Sequence, residues 1–155
     1  MNKKTFKSPV AIENAEITFR NFRGLEKQYN PAGRRNFGVR LPMELARKLK
    51  KDGWNVRGME GKEGYDPEPY LAVTVRYDNI PPRIILITSK NKLLLSEEDV
   101  GELDHAEILN VDLIITPHDW ELKNGNKGTK GYLKTMYVTI VEDQFADKYE
   151  DVPRG

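Results

Sequence analysis

Apolar residues recur at every second position in one run after another of this chain, and that period limits its fold more than any other feature. Ala15, Ile17 and Phe19 share one face of the first run, and Glu16, Thr18, Arg20 and Phe22 share the other. Phe37, Val39 and Leu41 repeat the pattern with Arg40 on the opposite side, and Leu71, Val73 and Val75 repeat it again. A period of two is that of a half-buried β-strand. Further strands are expected at 54–57, at 83–88, where the run Ile84-Ile85-Leu86-Ile87 reads as buried on both faces, at 106–117 with an extension through 120–122, and at 132–142. Asn124-Gly125-Asn126-Lys127-Gly128 marks a turn between the last two.

Only two stretches break the period. Leu41-Pro42 opens a helix over Met43 to Lys51, with Leu45, Ala46 and Leu49 as its apolar stripe. Its late cations, Arg47, Lys48, Lys50 and Lys51, suit the negative end of the helix dipole, and Gly53 suits the position after its end. Ser96 is expected to cap a second short helix that carries Glu97, Glu98 and Asp99 in its first turn. Six to eight strands with two short helices in 155 residues make one mainly β domain. A Greek-key β-barrel of the OB type, with insertions, is the smallest architecture that fits. An immunoglobulin-like sandwich lacks its Cys–Trp–Cys marks, because the chain has no cysteine. The domain is expected to span 1–142, with an acidic C-terminal tail over 143–155.

Several classes of chemistry find no support. Without cysteine there is neither disulfide nor thiolate metal site, and the two histidines, His105 and His118, stand in no metal-binding spacing. Phosphate-loop, dinucleotide and nucleophile-elbow motifs are missing. Asp104, Glu107 and Asp112 are the nearest approach to a metal-dependent nuclease site, and the surrounding apolar run argues against it. No cofactor and no metal are expected. Asn2, Lys3 and Lys4 are followed by no apolar run, so no secretory signal is expected, and no segment approaches the length of a membrane span.

The net charge of +1 conceals a division. Residues 1–57 hold 14 Lys/Arg against 5 Asp/Glu, and residues 58–155 hold 11 against 19. The densest mixture is residues 21–41, where Arg23, Lys27, Arg34, Arg35 and Arg40 interleave with Phe22, Tyr29 and Phe37 around a turn at Asn30-Pro31-Ala32-Gly33. Cations that track phosphates beside aromatics that stack on bases are how proteins hold single-stranded nucleic acid. A hairpin of solvated arginines and core aromatics would read the same way. Phe19 and Phe37 fall on apolar faces and are assigned to the core. Phe22, Tyr29 and Trp54 stand among polar or basic neighbours and are the candidates for stacking. Arg20 shares the face of Phe22, and Tyr132 and Lys134 on the last strand would extend the track.

The stretches NFRG…YNPAGRRNFGVRL, LKKDGWNVR, LNVDLIITPHDWEL and GYLKTMYVTIVEDQFADKY, with residues 70–77, resemble a family of small bacteriophage single-stranded DNA-binding proteins. The resemblance runs over roughly residues 15–149. It implies an OB-like barrel, sequence-tolerant binding of single-stranded DNA in phage replication or recombination, no enzymatic activity, and action in the cytoplasm of a bacterial host cell. The acidic tail, with Phe145 and Tyr149 at helical spacing, would recruit replication or recombination proteins. Self-association stays open. So does the alternative of a structural head or tail protein, in which the divided charge drives assembly.

Overall fold

The alternating runs pair into one nine-stranded sheet in the computed structural model of the chain, which describes residues 7–78 and 80–142. The strands are β1 (Val10–Ile12), β2 (Ile17–Asn21), β3 (Arg35–Arg40), β4 (Val56–Arg57), β5 (Tyr70–Val75), β6 (Arg83–Ile87), β7 (Lys92–Leu94), β8 (Ile108–Glu121) and β9 (Lys127–Ile140). Helix α1 (Met43–Lys51) follows β3 over the residues that the sequence marks for it, and Gly53 beyond its end has φ +95. The tail expected at 143–155 lies outside the described residues.

The long β8–β9 hairpin is the spine. β8 runs along one edge of β9, while the other edge takes β5 in parallel at Val73 and Thr74 and then β6 in parallel from Arg83 to Ile87. Beyond β5 lie β3 and β2, and β1 covers the far side of β8. The two end strands, β1 and β2, are consecutive in the chain, so the sheet must curl until its ends meet. Between them the Ala15 N–H donates to the Val111 carbonyl at 2.7 Å, and the Glu16 carbonyl accepts from the Arg40 N–H at 2.9 Å. The expectation of a mainly β fold holds. The barrel expectation is met by a curled sheet that is not fully closed, because β1 and β2 are joined by chain rather than by a ladder.

The inner face carries the core. Val39, Leu71, Val73, Val111, Ile115, Met136 and Val138 are all buried, and Ala46 and Leu49 of α1 pack into the same cluster. Each such side chain contributes about 1.5–3 kcal/mol by leaving water. Trp54, expected to stack on a base, is only 4 % exposed and belongs to this core. It bridges to Thr129, and Thr129 also receives the Asn55 N–H at 3.0 Å, which fastens the end of α1 to β9.

Strand β2 departs from simple alternation. Thr18 pairs with Gly38 and Asn21 with Asn36, so Phe19 and Arg20 together stand opposite the single residue Phe37. This extra residue is a bulge, and it reverses the facing of everything after it. Phe22 turns inward, is fully buried, and stacks on Phe37 at 5.0 Å. Phe19, at φ +50, turns outward and is 63 % exposed. The expected roles of the two phenylalanines are therefore exchanged. The bulge is held from below by a 3₁₀-helix (Val100–Asp104). The Asp104 carboxylate accepts the N–H groups of Phe22 at 2.6 Å and Arg23 at 3.1 Å. The Arg20 guanidinium donates to the carbonyls of Leu103 at 2.9 Å and Ala106 at 2.7 Å. The acidic helix expected at Ser96 is a turn leading into this 3₁₀ segment, because the Ser96 hydroxyl donates to the Asp99 carboxylate instead of capping backbone N–H groups. Strands β1 and β7, three residues each, give too short a run to show a period.

Asp104→Ala strands two backbone donors and is expected to destabilise by about 2–3 kcal/mol, read as a lower urea midpoint with unchanged slope. Trp54→Ala is expected to cost about 3–5 kcal/mol in the same assay, the cost of a core cavity rather than of a surface change.

Candidate nucleic-acid interface

The outer face of β3, β5 and β9 floors a cleft of roughly 1110 Å³. Cross-strand partners share a face, so Asn36 lies beside Thr74, Gly38 beside Ala72, and Thr74 beside Tyr132. Small side chains keep the floor low. A Cβ on Gly38 would come within 2.9 Å of the Tyr70 ring and 3.2 Å of the Thr18 methyl group, so the glycine is what lets Tyr70 lie across β3. The Phe19 ring meets Tyr70 at 5.1 Å with a 52° tilt, which makes an aromatic pair at one wall.

Residues 23–34 form the overhanging wall. A loop of this length can be mobile, but here it is braced by its own backbone. Lys27 and Asn30 exchange N–H···O bonds at 2.8 and 3.0 Å, and the Gly33 N–H donates to the Gly24 carbonyl at 2.8 Å. Gly24, at φ +70, has no room for a Cβ, which would lie 3.0 Å from the Gly33 carbonyl carbon. The Asn30 side chain donates to the carbonyls of Leu25 and Arg34, and the Asn36 amide donates to Asn30 Oδ1 at 2.7 Å. The loop tip presents Tyr29, 88 % exposed, together with Lys27 and Arg34.

Among the described residues six cations line the cleft, Lys27, Arg34, Arg35, Arg57, Arg76 and Lys130, against two acids, Asp78 and Glu97. Arg76 is clasped by Asp78 through Nε at 2.9 Å and a terminal nitrogen at 2.6 Å. The hydrogen bond from Arg76 holds the Asp78 carboxyl below the usual carboxylate range. The Arg76 guanidinium also lies 5.4 Å over the Tyr132 ring and donates to its hydroxyl at 3.3 Å. His118, from the β8 side, meets the same ring at 5.0 Å. Tyr132 is thus flanked by side chains, and Tyr70 is half-buried against Gly38 and Phe19, whereas Phe19 and Tyr29 offer exposed ring surface. At the far end Arg35 sits 5.6 Å over the Tyr77 ring and pairs with Glu97 at 3.4 Å. Burial pushes the Tyr77 phenol above its ordinary pKa, with Arg35 acting against the shift and Glu97 adding to it.

Of the residues expected from sequence, the structure brings Lys27, Tyr29, Arg34, Arg35 and Tyr132 to the cleft. Phe22 and Trp54 are in the core and have no face to offer a base. Arg20 is spent on backbone carbonyls. The stem of Arg23 lies against Gly101, where a Cβ would come within 2.5 Å of it. Arg40 is shared between Glu16 and Glu68, each at 3.5 Å. Lys134 is exposed outside the cleft, at a register shift in the β8–β9 ladder. Phe19, Tyr70, Arg57, Arg76 and Lys130 line the cleft and went unread. Alternation in β5 does signal Tyr70 and Arg76, since Leu71, Val73 and Val75 point inward. The carboxylates suggested for a nuclease serve separate structural ends. Asp104 holds β2, and Asp112 accepts from the Asn14 N–H at 3.0 Å and the Asn110 amide at 3.2 Å.

Comparison with known proteins agrees with this geometry. No curated protein sequence matches the chain. Among solved structures, the single-stranded DNA-binding protein of bacteriophage Enc34 with a C-terminal truncation superposes with a TM-score of 0.56 at 11 % identity, over 87 % of each chain. The same phage protein in complex with ssDNA gives 0.56 at 11 % identity, covering 88 % of this chain and 89 % of that one. At such identity the likeness is one of fold, and that fold is OB-like. The family model described as "Putative phage ssDNA-binding domain" matches residues 1–155. A mainly β chain with a basic, aromatic-lined cleft on an OB-like sheet, matched by that model from end to end, belongs to the phage ssDNA-binding domain family.

Proposed function

We propose that this chain binds single-stranded DNA without base preference along the β3–β5–β9 cleft, and that it does so in phage DNA replication or recombination. One observation carries the reading: the Phe19–Tyr70 ring pair, with Phe19 exposed, lies on a glycine–alanine floor within a cleft where, among the described residues, six cations face two acids. Every base has a π-face, so rings on a flat floor accept any sequence, and cations along the walls follow the backbone. Lys27, Arg34, Arg57 and Lys130 contact phosphates, and Phe19, Tyr29 and Tyr70 stack on bases. Tyr132 orients Arg76. The family and the Enc34 complex support the choice of ligand. The protein acts by binding rather than by catalysis, in the cytoplasm of the host. Among the described residues no helix is long and apolar enough to cross a membrane. The acidic residues beyond 142 form a tail that engages replication or recombination proteins, a reading supported by their composition alone.

Anisotropy of a labelled oligothymidine of ~30 nucleotides, titrated at several salt concentrations, tests this. Phe19→Ala and Tyr70→Ala are each expected to cost about 1–3 kcal/mol of binding. Arg34→Ala should flatten the slope of log K against log salt by about 0.7. Trp54→Phe should leave affinity within about twofold, because a core side chain touches no base. Binding that ignores both salt and the Phe19 and Tyr70 changes would overturn the assignment.

A further inference from the structure

Two buried donor atoms at one end of the cleft, Arg35 Nε and the Tyr77 hydroxyl, have no hydrogen-bond partner among the described residues. A buried polar group left unpaired costs free energy, and native proteins keep few of them. These two are neighbours, since the guanidinium lies over the Tyr77 ring. Both belong by strand parity to the inner face, after Phe37 on one side and Val75 on the other, where the core runs out into the cleft. The acid beside them is Glu97, in the turn between β7 and the 3₁₀-helix, and it meets Arg35 through a terminal guanidinium nitrogen. It pairs with Arg35 at 3.4 Å, a long contact, and its side chain is 54 % exposed. A half-exposed carboxylate on a turn can leave without disturbing the sheet. What remains is a cationic fork and a hydroxyl facing a cleft in which, among the described residues, only Glu97 and Asp78 are acidic.

We infer that Glu97 is a displaceable latch on a phosphodiester subsite made by Arg35 and Tyr77. A backbone phosphate of the bound strand replaces the Glu97 carboxylate on the guanidinium and accepts the Tyr77 hydroxyl that the free protein leaves unpaired. The inference rests on the single-stranded DNA reading above. It adds that the subsite is masked in the free protein, so that Glu97 opposes binding and Tyr77 favours it. The Arg76–Asp78 clasp has a different character, because it is short and two-pronged and its arginine has a second partner in Tyr132.

The test uses the same oligothymidine titration on the full chain, with melting followed by circular dichroism. Glu97→Gln should tighten binding about two- to fivefold, the worth of a partly exposed ion pair. Glu98→Gln makes the same charge change outside the cleft and should alter affinity by much less. In an Arg35→Gln background Glu97→Gln should bring no gain, because the latch has nothing left to hold. Tyr77→Phe should weaken binding about tenfold while the melting temperature stays level or rises, since it deletes a hydroxyl unpaired in the free state. Equal gains from Glu97→Gln and Glu98→Gln would reduce the effect to general charge and overturn the latch. So would a Tyr77→Phe variant that melts lower and binds as before. Absence of binding by the unaltered chain at low salt would instead overturn the single-stranded DNA reading itself.

Discussion

One extra residue in β2 sets the form of the cleft. Because Phe19 and Arg20 share the place opposite Phe37, the strand changes facing midway, and one aromatic is sent to each side of the sheet. Phe22 closes the core against Phe37, and Phe19 joins Tyr70 on the outer face. A phenylalanine at positive φ is a costly conformation, of order 1–3 kcal/mol. It persists because Asp104 and Arg20 tie the strand to the 3₁₀-helix at the bulge and just after it. The strain sits at the cleft face, and its compensation lies beneath it.

The cleft follows from the same economy of side chains. Gly38, Ala72 and Thr74 are small and stand where large residues would fill the outer face, so the floor stays low and the rings around it stay open. Its electrostatics draw on the whole chain. Arg57, Arg76 and Lys130 come to it from separate strands, while Arg40, from the basic first third, is neutralised by Glu16 and Glu68. The apparent division into a basic and an acidic half therefore does not survive folding as two surfaces. Acidic residues of the later part, Glu97 and Asp78, line the cleft and pair with Arg35 and Arg76.

Period-two runs read correctly in the sequence wherever a strand stays regular. β3 and β5 fall where alternation places them, β6 falls on its unbroken apolar run, β9 starts at Lys127, five residues before the expected strand, and α1 falls between a proline and a glycine with its limits correct. The stretch from 21 to 41 stands out in the sequence for its mixture of cations and aromatics, and of these Lys27, Tyr29, Arg34 and Arg35 line the cleft. Alternation in β5 was enough to place Tyr70 and Arg76 outward beside them.

By itself, then, the sequence determined a mainly β domain, the order of its elements and the loop that carries the charge, because strand period, capping and turn chemistry are local properties of neighbouring residues. The tertiary structure decided which aromatics and cations serve the cleft. Phe19 and Phe22 exchange roles through a bulge held by residues some eighty positions away, and no local pattern records that. Trp54 sits among polar neighbours in sequence yet fills the gap between α1 and β9, and Arg20 and Arg40 find acceptors that only folding brings near. Burial and charge pairing depend on distance in space, which the order of residues along a chain leaves open until the sheet has curled.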